Sequence, residues 1–348
     1  MSKRKLGIGI VGCGMISYFH ARAIAEIDEV QLVGAHSDRA EAAERFANEF
    51  DTRIFHSFED MLACPDVDIV SICTPSGLHA PMAVKAAKAG KHIIVEKPVA
   101  ITREQIDSIE KACKESRVKL AVISQHRFSP AVQFVKKAID EGAFGKILIV
   151  DINMKYYRTP EYYKSSAWRG TREMDGGGAL MNQGIHGIDL INYLAGPVSS
   201  VYGKVKTEVH DIEVEDTAVA FVEYESGAIG AIHGTTSVNP GQPRVIDING
   251  TLGSVTLIED KIKRWSVEGY DVPAELLFTP EKGLKGGFNA PDNISYKNHK
   301  KQIKDMIGAI VEDREPMITL SDGRRSVETI LSIYESSETG TPIKLKKI

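Results

Sequence analysis

Gly12 and Gly14 stand two apart in Val11-Gly12-Cys13-Gly14-Met15-Ile16-Ser17, between the apolar run Leu6 to Val11 and a helical pattern from Ile16 to Glu26. A strand, a glycine turn and a helix in that order can hold a diphosphate. Gly12 makes the tight turn, Gly14 lets the backbone approach, and the helix end at Met15 and Ile16 stabilises negative charge. Ser17 takes the place of the usual third glycine and is small enough for close helix packing. Roughly 20 residues beyond the loop, where the adenine ribose of a dinucleotide is held, stand Ser37, Asp38 and Arg39. Asp38 suits the ribose hydroxyls of NAD, whereas Ser37 with Arg39 suits the 2′-phosphate of NADP, and the reading leans to NADP. A second concentration of chemistry comprises Tyr156-Tyr157-Arg158, Tyr162-Tyr163 and Trp168-Arg169. Aromatic rings stack on sugar faces and arginines fork onto carboxylates or phosphates; the same residues could instead pack a domain junction.

The elements around these groups divide the 348 residues into two domains. Over residues 1–124, short apolar runs alternate with helical patterns: strands at Leu6 to Val11, Gln31 to Ala35, Ile69 to Cys73 and His92 to Val95, helices at Ile16 to Glu26, Ala40 to Phe50, Phe58 to Ala63 and Ala80 to Ala89. That pattern predicts a doubly wound α/β Rossmann domain. Over 125–348, strands of alternating polarity follow one another without helices between them, from Lys146 to Lys155 through Gly253 to Glu259. They predict an α+β domain with a mostly antiparallel sheet, interrupted by a helix from Gly184 to Leu194 and closed by helices at Tyr296 to Val311 and Arg324 to Ser337. Helices on one face leave the other face uncovered, which predicts a homo-oligomer, a dimer or tetramer.

A composition of 43% hydrophobic and 26% charged residues with a net charge of −4 excludes a disordered or collagenous chain and offers no basic footprint for nucleic acid. No apolar run approaches the ~18 residues of a membrane helix, and Met1-Ser2-Lys3-Arg4-Lys5 leads into a strand and not a signal-peptide core, so a cytoplasmic protein is expected. Cys13, Cys64, Cys73 and Cys113 form no C-x-x-C pair, which predicts buried reduced thiols and no metal.

Further stretches carry a resemblance. Thr74-Pro75-Ser76-Gly77-Leu78-His79 and Ala89-Gly90-Lys91-His92-Ile93-Ile94-Val95-Glu96-Lys97-Pro98 each involve the end of a predicted strand. Gln125-His126-Arg127-Phe128, the run from Asp175-Gly176-Gly177-Gly178 to His186 and Asp189, then Asp322-Gly323 and Tyr334-Glu335-Ser336, follow in order. Nearly the whole chain thus resembles the Gfo/Idh/MocA oxidoreductases. The resemblance implies hydride transfer between NAD or NADP and a secondary hydroxyl or ketone of a sugar, nucleotide sugar or cyclitol. It implies that Glu96-Lys97-Pro98 is the catalytic segment, with the Lys97 ammonium stabilising alkoxide character in the crevice at the strand ends. Thr74, Pro75, His79, Glu96 and Lys97 join the glycine-loop and ribose residues as implied cofactor contacts. His186 is the implied general base, Asn182 joins it and Lys97 in the expected catalytic set, and Arg127, Arg158, Trp168, Arg169, Asn182 and His186 are the expected substrate contacts. His20, His36, His126, His210, His233 and His299 lack comparable support.

Asn182 departs from the aspartate that many members of the family place four residues before the histidine. On a helix it would share a face with His186 and orient substrate, but it carries no negative charge. Asparagine there resembles the branch that oxidises nucleotide-linked N-acetylated sugars at C3. Two alternatives stand beside a dehydrogenase: a non-catalytic regulator of sugar metabolism that binds dinucleotide, and a redox-neutral enzyme with a tightly held cofactor.

Overall fold

The computed structural model describes residues 4–279 and 295–347; Met1, Ser2 and Lys3 of the predicted N-terminal lead lie outside them. Two compact units comprise Met1–Gln125 with Ser295–Arg324 and His126–Ile294 with Arg325–Ile348. The single boundary drawn in the sequence at 124/125 lies one residue before the division at 125/126, and residues 295–324 belong with the first unit.

In the first unit β1 (Leu6–Val11), α1 (Met15–Ala25), β2 (Val30–His36), α2 (Ala40–Phe50), β3 (Arg53–Ile54), α3 (Phe58–Ala63), β4 (Ile69–Ile72), α4 (His79–Lys88), β5 (His92–Val95), α5 (Arg103–Ser116) and β6 (Leu120–Val122) alternate. The strands form a parallel sheet in the order β3-β2-β1-β4-β5-β6. Crossover connections run to opposite sides of β1, so the carboxyl ends of β1 and β4 flank the switch point where such sheets bind ligands. Every residue of β4 is buried, as expected of a strand covered on both faces. Helices α3 and α5 begin where Ser57 and Thr102 accept the backbone N–H groups of Asp60 and Gln105. The returning helix is needed here because α1 has a further apolar side. Ile303, Met306 and Ile307 of the helix at Lys297–Val311 share the core with Ile8 and Ile24. Gln302 from the same helix accepts the Ser124 N–H at 3.1 Å and donates to the Val122 carbonyl at 2.6 Å.

The second unit contains α6 (Pro130–Asp140), β7 (Ile147–Lys155), α7 (Pro160–Lys164), a π-helical turn (Ala179–Gly184), α8 (Ile185–Ala195), β8 (Val198–Lys206), β9 (Thr217–Tyr224), β10 (Ile229–Thr235), β11 (Val245–Gly250), β12 (Gly253–Ile258) and β13 (Lys261–Val267). With the helix at Lys297–Val311 as α9, α10 (Leu320–Thr339) and β14 (Ile343–Lys344) end the chain. The sheet order is β13-β12-β11-β7-β10-β9-β8-β14, antiparallel except between β10 and β7. Alternation sorts the two faces: Ala218, Ala220, Val222 and Tyr224 of β9 are buried while Val219 and Phe221 are exposed. Helix α8 lies close on the buried face. A Cβ at Gly187 would stand 2.5 Å from both Ile152 Cδ1 and Met154 Sδ. On the opposite face Tyr202 pairs with Phe221 and Ile229 with Ile149, all four exposed. Among the described residues no helix is long and apolar enough to cross a membrane.

Candidate active site

The glycine loop has the conformation its sequence predicts. Gly12 sits at φ +91°, and a Cβ there would lie 2.7 Å from the Cys73 carbonyl carbon and oxygen, so a side chain is excluded on both counts. Its N–H donates to the His36 carbonyl at 2.8 Å. Gly14 caps α1 in extended conformation with nothing within 4 Å of where its Cβ would be. The first turn of α1 holds no acidic residue and receives no side-chain cap from Gly14, and Ser17 Oγ turns back onto the Gly14 carbonyl at 2.6 Å. Thr74 Oγ1, beyond the end of β4, is buried without a partner among the described residues. An open glycine cradle, an uncapped helix start and a waiting hydroxyl fit the diphosphate end of a dinucleotide. Past β2, Ser37 Oγ accepts the Arg39 N–H at 3.3 Å. Asp38 is largely exposed, with Oδ1 3.4 Å from His36 Nε2.

Half-buried Lys97 stands two residues past β5, and the Lys97–Pro98 peptide is cis. Its neighbour Glu96 is buried: Oε1 accepts from His20 Nε2 at 3.0 Å, and Oε2 accepts the Lys97 backbone N–H at 3.1 Å. Burial opposes both charges. The hydrogen bond and charge of His20 nevertheless hold Glu96 near a pKa of about 2, with His299 and Lys97 adding to the effect. For His20, burial is outweighed by Cys73 and Glu96, and the imidazole is raised to about 10. His79, also expected at the cofactor, is buried against backbone, with Nδ1 2.6 Å from the Pro98 oxygen and Nε2 2.9 Å from the Thr74 oxygen. Burial lowers its pKa against those two contacts.

The second unit ties Asn182, Arg158 and Arg169 into one hydrogen-bonded network through Gln183 and Tyr162. Asn182 lies in the π turn and His186 in the first turn of α8. Asn182 Nδ2 donates to Asp175 Oδ1, and Asp175 Oδ2 accepts the Gly170 N–H at 2.8 Å. Gln183 joins the network: its Oε1 accepts from Arg158 Nη2 at 2.6 Å, while Nε2 donates to Tyr162 OH and Asn182 Oδ1, both at 2.8 Å. Arg169 donates to Tyr162 OH at 2.6 Å, with its guanidinium 4.3 Å from the Tyr162 ring centroid and 4.7 Å from that of Trp168. Arg127, by contrast, forks onto Asp189 at 2.8 and 2.6 Å with both side chains buried. This places the arginine in a core ion pair, a correction to its expected substrate contact, because a guanidinium committed to a buried carboxylate is a structural tie.

Residue spacing passed over three of these groups. Gln183 is uncharged and adjoins a more suggestive asparagine. His126 packs on His186 with ring centroids 5.0 Å apart and lies 2.9 Å from both Asp260 oxygens, a pairing across 134 positions. His20 meets Glu96 across 76 positions. An acceptor or donor of the right type is visible in each case, but only the fold supplies the partner.

A doubly wound domain with this loop, joined to a sheet domain that carries a half-buried histidine, defines a dinucleotide-dependent oxidoreductase. Residues 6–124 match the oxidoreductase family with NAD-binding Rossmann fold, and 132–256 match the GFO/IDH/MocA C-terminal domain. The chain belongs to this GFO/IDH/MocA family. It is 35% identical to the WlbA dehydrogenase from Bordetella pertussis, solved with NADH and UDP-GlcNAcA, over 99% of this chain and 100% of that one, with a TM-score of 0.88. It is 30% identical over 289 residues to levoglucosan dehydrogenase of Pseudarthrobacter phenanthrenivorans, covering 72% of this chain and 73% of that one. Over 240 residues it is 30% identical to the NADP(+)-dependent scyllo-inositol 2-dehydrogenase IolW of Bacillus subtilis, covering 68% and 64%. The protein is an NAD(P)-dependent oxidoreductase.

Proposed function

We propose that the enzyme oxidises a secondary ring hydroxyl of a nucleotide-linked, N-acetylated sugar, a sugar acid included, and that the same groups serve the reverse reduction. The observation that carries this reading is Asn182, an amide in place of the usual carboxylate, tied through Gln183 to Arg158 and Tyr162 beside the Arg169–Trp168 platform. Full-length similarity to WlbA supports it. When bound at the Gly12–Gly14 cradle, NAD(P) supplies the hydride acceptor. His186 takes the hydroxyl proton, the Lys97 ammonium stabilises the developing oxyanion, and Asn182 orients the ring through its amide. Arg169, held by Tyr162, offers a positive charge over aromatic faces to a carboxylate or phosphate. Ser37 in place of a carboxylate, with Arg39 beside it, favours NADP. The exposed Tyr202, Phe221, Ile149 and Ile229 give the sheet an apolar face suited to a homo-oligomer.

Absorbance of the reduced nicotinamide tests the reading, with NAD and NADP offered in parallel against UDP-linked N-acetylated sugars and their acids, levoglucosan and inositols. The expected result is reduction with a UDP-linked sugar and a higher kcat/KM with NADP. Reduction with inositols or levoglucosan alone would overturn the substrate class. Silence across the panel with intact cofactor binding would favour a regulator or a redox-neutral enzyme.

A further inference from the structure

The backbone of the Lys97 turn is held from both sides by buried histidines. His20, on α1, places Nδ1 2.8 Å from Ser71 Oγ and Nε2 3.0 Å from Glu96 Oε1. The second Glu96 oxygen accepts the Lys97 N–H, so two consecutive hydrogen bonds connect α1 to the peptide nitrogen of Lys97 itself. On the far side His79, the first residue of α4, places Nδ1 2.6 Å from the Pro98 carbonyl oxygen and Nε2 2.9 Å from that of Thr74. A neutral imidazole has one N–H to donate, and the shorter contact is the one to Pro98. Peptide groups on either side of the lysine are thereby fixed to two different helices.

We infer that His20 and His79 are positioning residues for Lys97, acting through the Glu96 carboxylate and the Pro98 carbonyl respectively. The inference rests on the reading of Lys97 as the lysine that meets the substrate oxygen. A lysine side chain is long and flexible, so the placement of its ammonium depends on a fixed backbone, and a displacement of about 1 Å at a reacting group costs roughly 100-fold in rate. One other use of the cluster is a metal: His20, Glu96 and His299 each bring a ligand atom within 4.8 Å of the others. Zinc with bonds of about 2.0–2.1 Å holds tetrahedral ligand atoms roughly 3.3 Å apart, whereas His20 and Glu96 stand at the 3.0 Å of a hydrogen bond.

The two sites differ in which ring nitrogen does the work, and the amide isosteres separate them. Glutamine places its NH2 group as Nε2 stands in histidine; asparagine places its own as Nδ1 stands. His20→Gln and His79→Asn are therefore expected to keep kcat within about threefold of the parent. His20→Asn and His79→Gln are expected to lose roughly 30- to 100-fold, with sugar KM and cofactor Kd within about twofold and thermal midpoints matched within each pair. A core-packing role would move both isosteres at a site alike, and that result, or a loss expressed in cofactor Kd in place of kcat, would overturn the inference. Stoichiometric zinc in the purified enzyme that disappears in His20→Gln would also overturn it. Lys97→Ala is run alongside: if it turns over normally the catalytic reading itself fails, whereas a collapsed Lys97→Ala beside unaffected histidine variants sinks the positioning inference alone.

Discussion

The turn after β5 and the segment that opens α8 hold their proposed reactive groups in opposite ways. Around Lys97 the partners are buried and act on backbone: a carboxylate on the lysine N–H, an imidazole beside the following carbonyl. Around Asn182 they are side chains acting on one another, half-buried Gln183 and Tyr162 with buried Arg158, while His186 packs on the ring of His126. A buried backbone clamp cannot be altered without disturbing the core, so it suits a step common to every substrate. A network of half-buried amides and phenol acting through side chains can be rewired one residue at a time, so it suits discrimination among sugars.

The comparison breaks first if either reactive group is dispensable. Lys97→Ala is expected to reduce kcat roughly 1,000-fold and His186→Ala roughly 100-fold, with cofactor Kd unchanged in both. Steady-state kinetics with fluorescence titration of cofactor checks this. Normal turnover by either variant removes that residue from the reaction. A stability contrast comes next. Arg127→Met leaves Asp189 buried without its guanidinium and is expected to cost about 3–5 kcal/mol, measured as a fall in denaturation midpoint; a variant as stable as the parent would return Arg127 to the list of substrate contacts.

The first-unit clamp is also titratable, and its signs can be worked out. Glu96 is depressed from 4.5 to about 2, so its contribution to stability is present above pH 4.5 and is lost as pH falls through about 2. His20 is raised from 6.5 to about 10, so its contribution is complete below pH 6.5 and is lost as pH rises through about 10. The two shifts share the His20–Glu96 contact, and Cys73 adds to that of His20. Glu96→Gln keeps a carbonyl acceptor but removes the charge, and is expected to cost roughly 1–3 kcal/mol at pH 6. The difference should narrow from pH 4.5 toward 2 and again from 6.5 toward 10 in urea titrations; a difference independent of pH would mean the pair is neutral.

Legibility in the sequence follows how local each signal is. The limits of β1, α2, α3 and β5 agree with those read from periodicity, because strand runs and amphipathic repeats are properties of adjacent residues. Strand β13, Lys261–Val267, escaped notice: its charged Lys261, Lys263 and Arg264 mask the alternation, as is common at a sheet edge. Helix α9 was visible as a helix, but its place with the first unit depends on contacts such as Tyr296 OH with Glu26 at 2.5 Å, 270 positions away. The glycine loop was legible because its geometry lies within seven residues. Arg127 was misread because nothing near it in sequence reveals the Asp189 carboxylate that it forks onto, 62 positions on.

The smallest effect, and the one that most sharpens the comparison, concerns Asn182. Its amide donates to Asp175, so negative charge already stands beside it, on a residue seven positions earlier. A second carboxylate at 182 would face Asp175 without a proton between them, and like charges at that separation raise the pKa of one of the pair. Asn182→Asp is therefore expected to lower kcat/KM about tenfold at neutral pH, the equivalent of ~1.4 kcal/mol, and to recover as pH falls and one carboxyl becomes a donor. Exchanging the two residues, Asp175→Asn with Asn182→Asp, restores a single amide–carboxylate pair and should recover part of the loss. Substrate preference then reads the consequence: if the charge position selects the sugar, the exchanged enzyme shifts toward inositols relative to UDP-linked sugars. An Asn182→Asp enzyme with unchanged pH profile and unchanged preference would make the asparagine a tolerated substitution, and the network around it a scaffold with no part in discrimination.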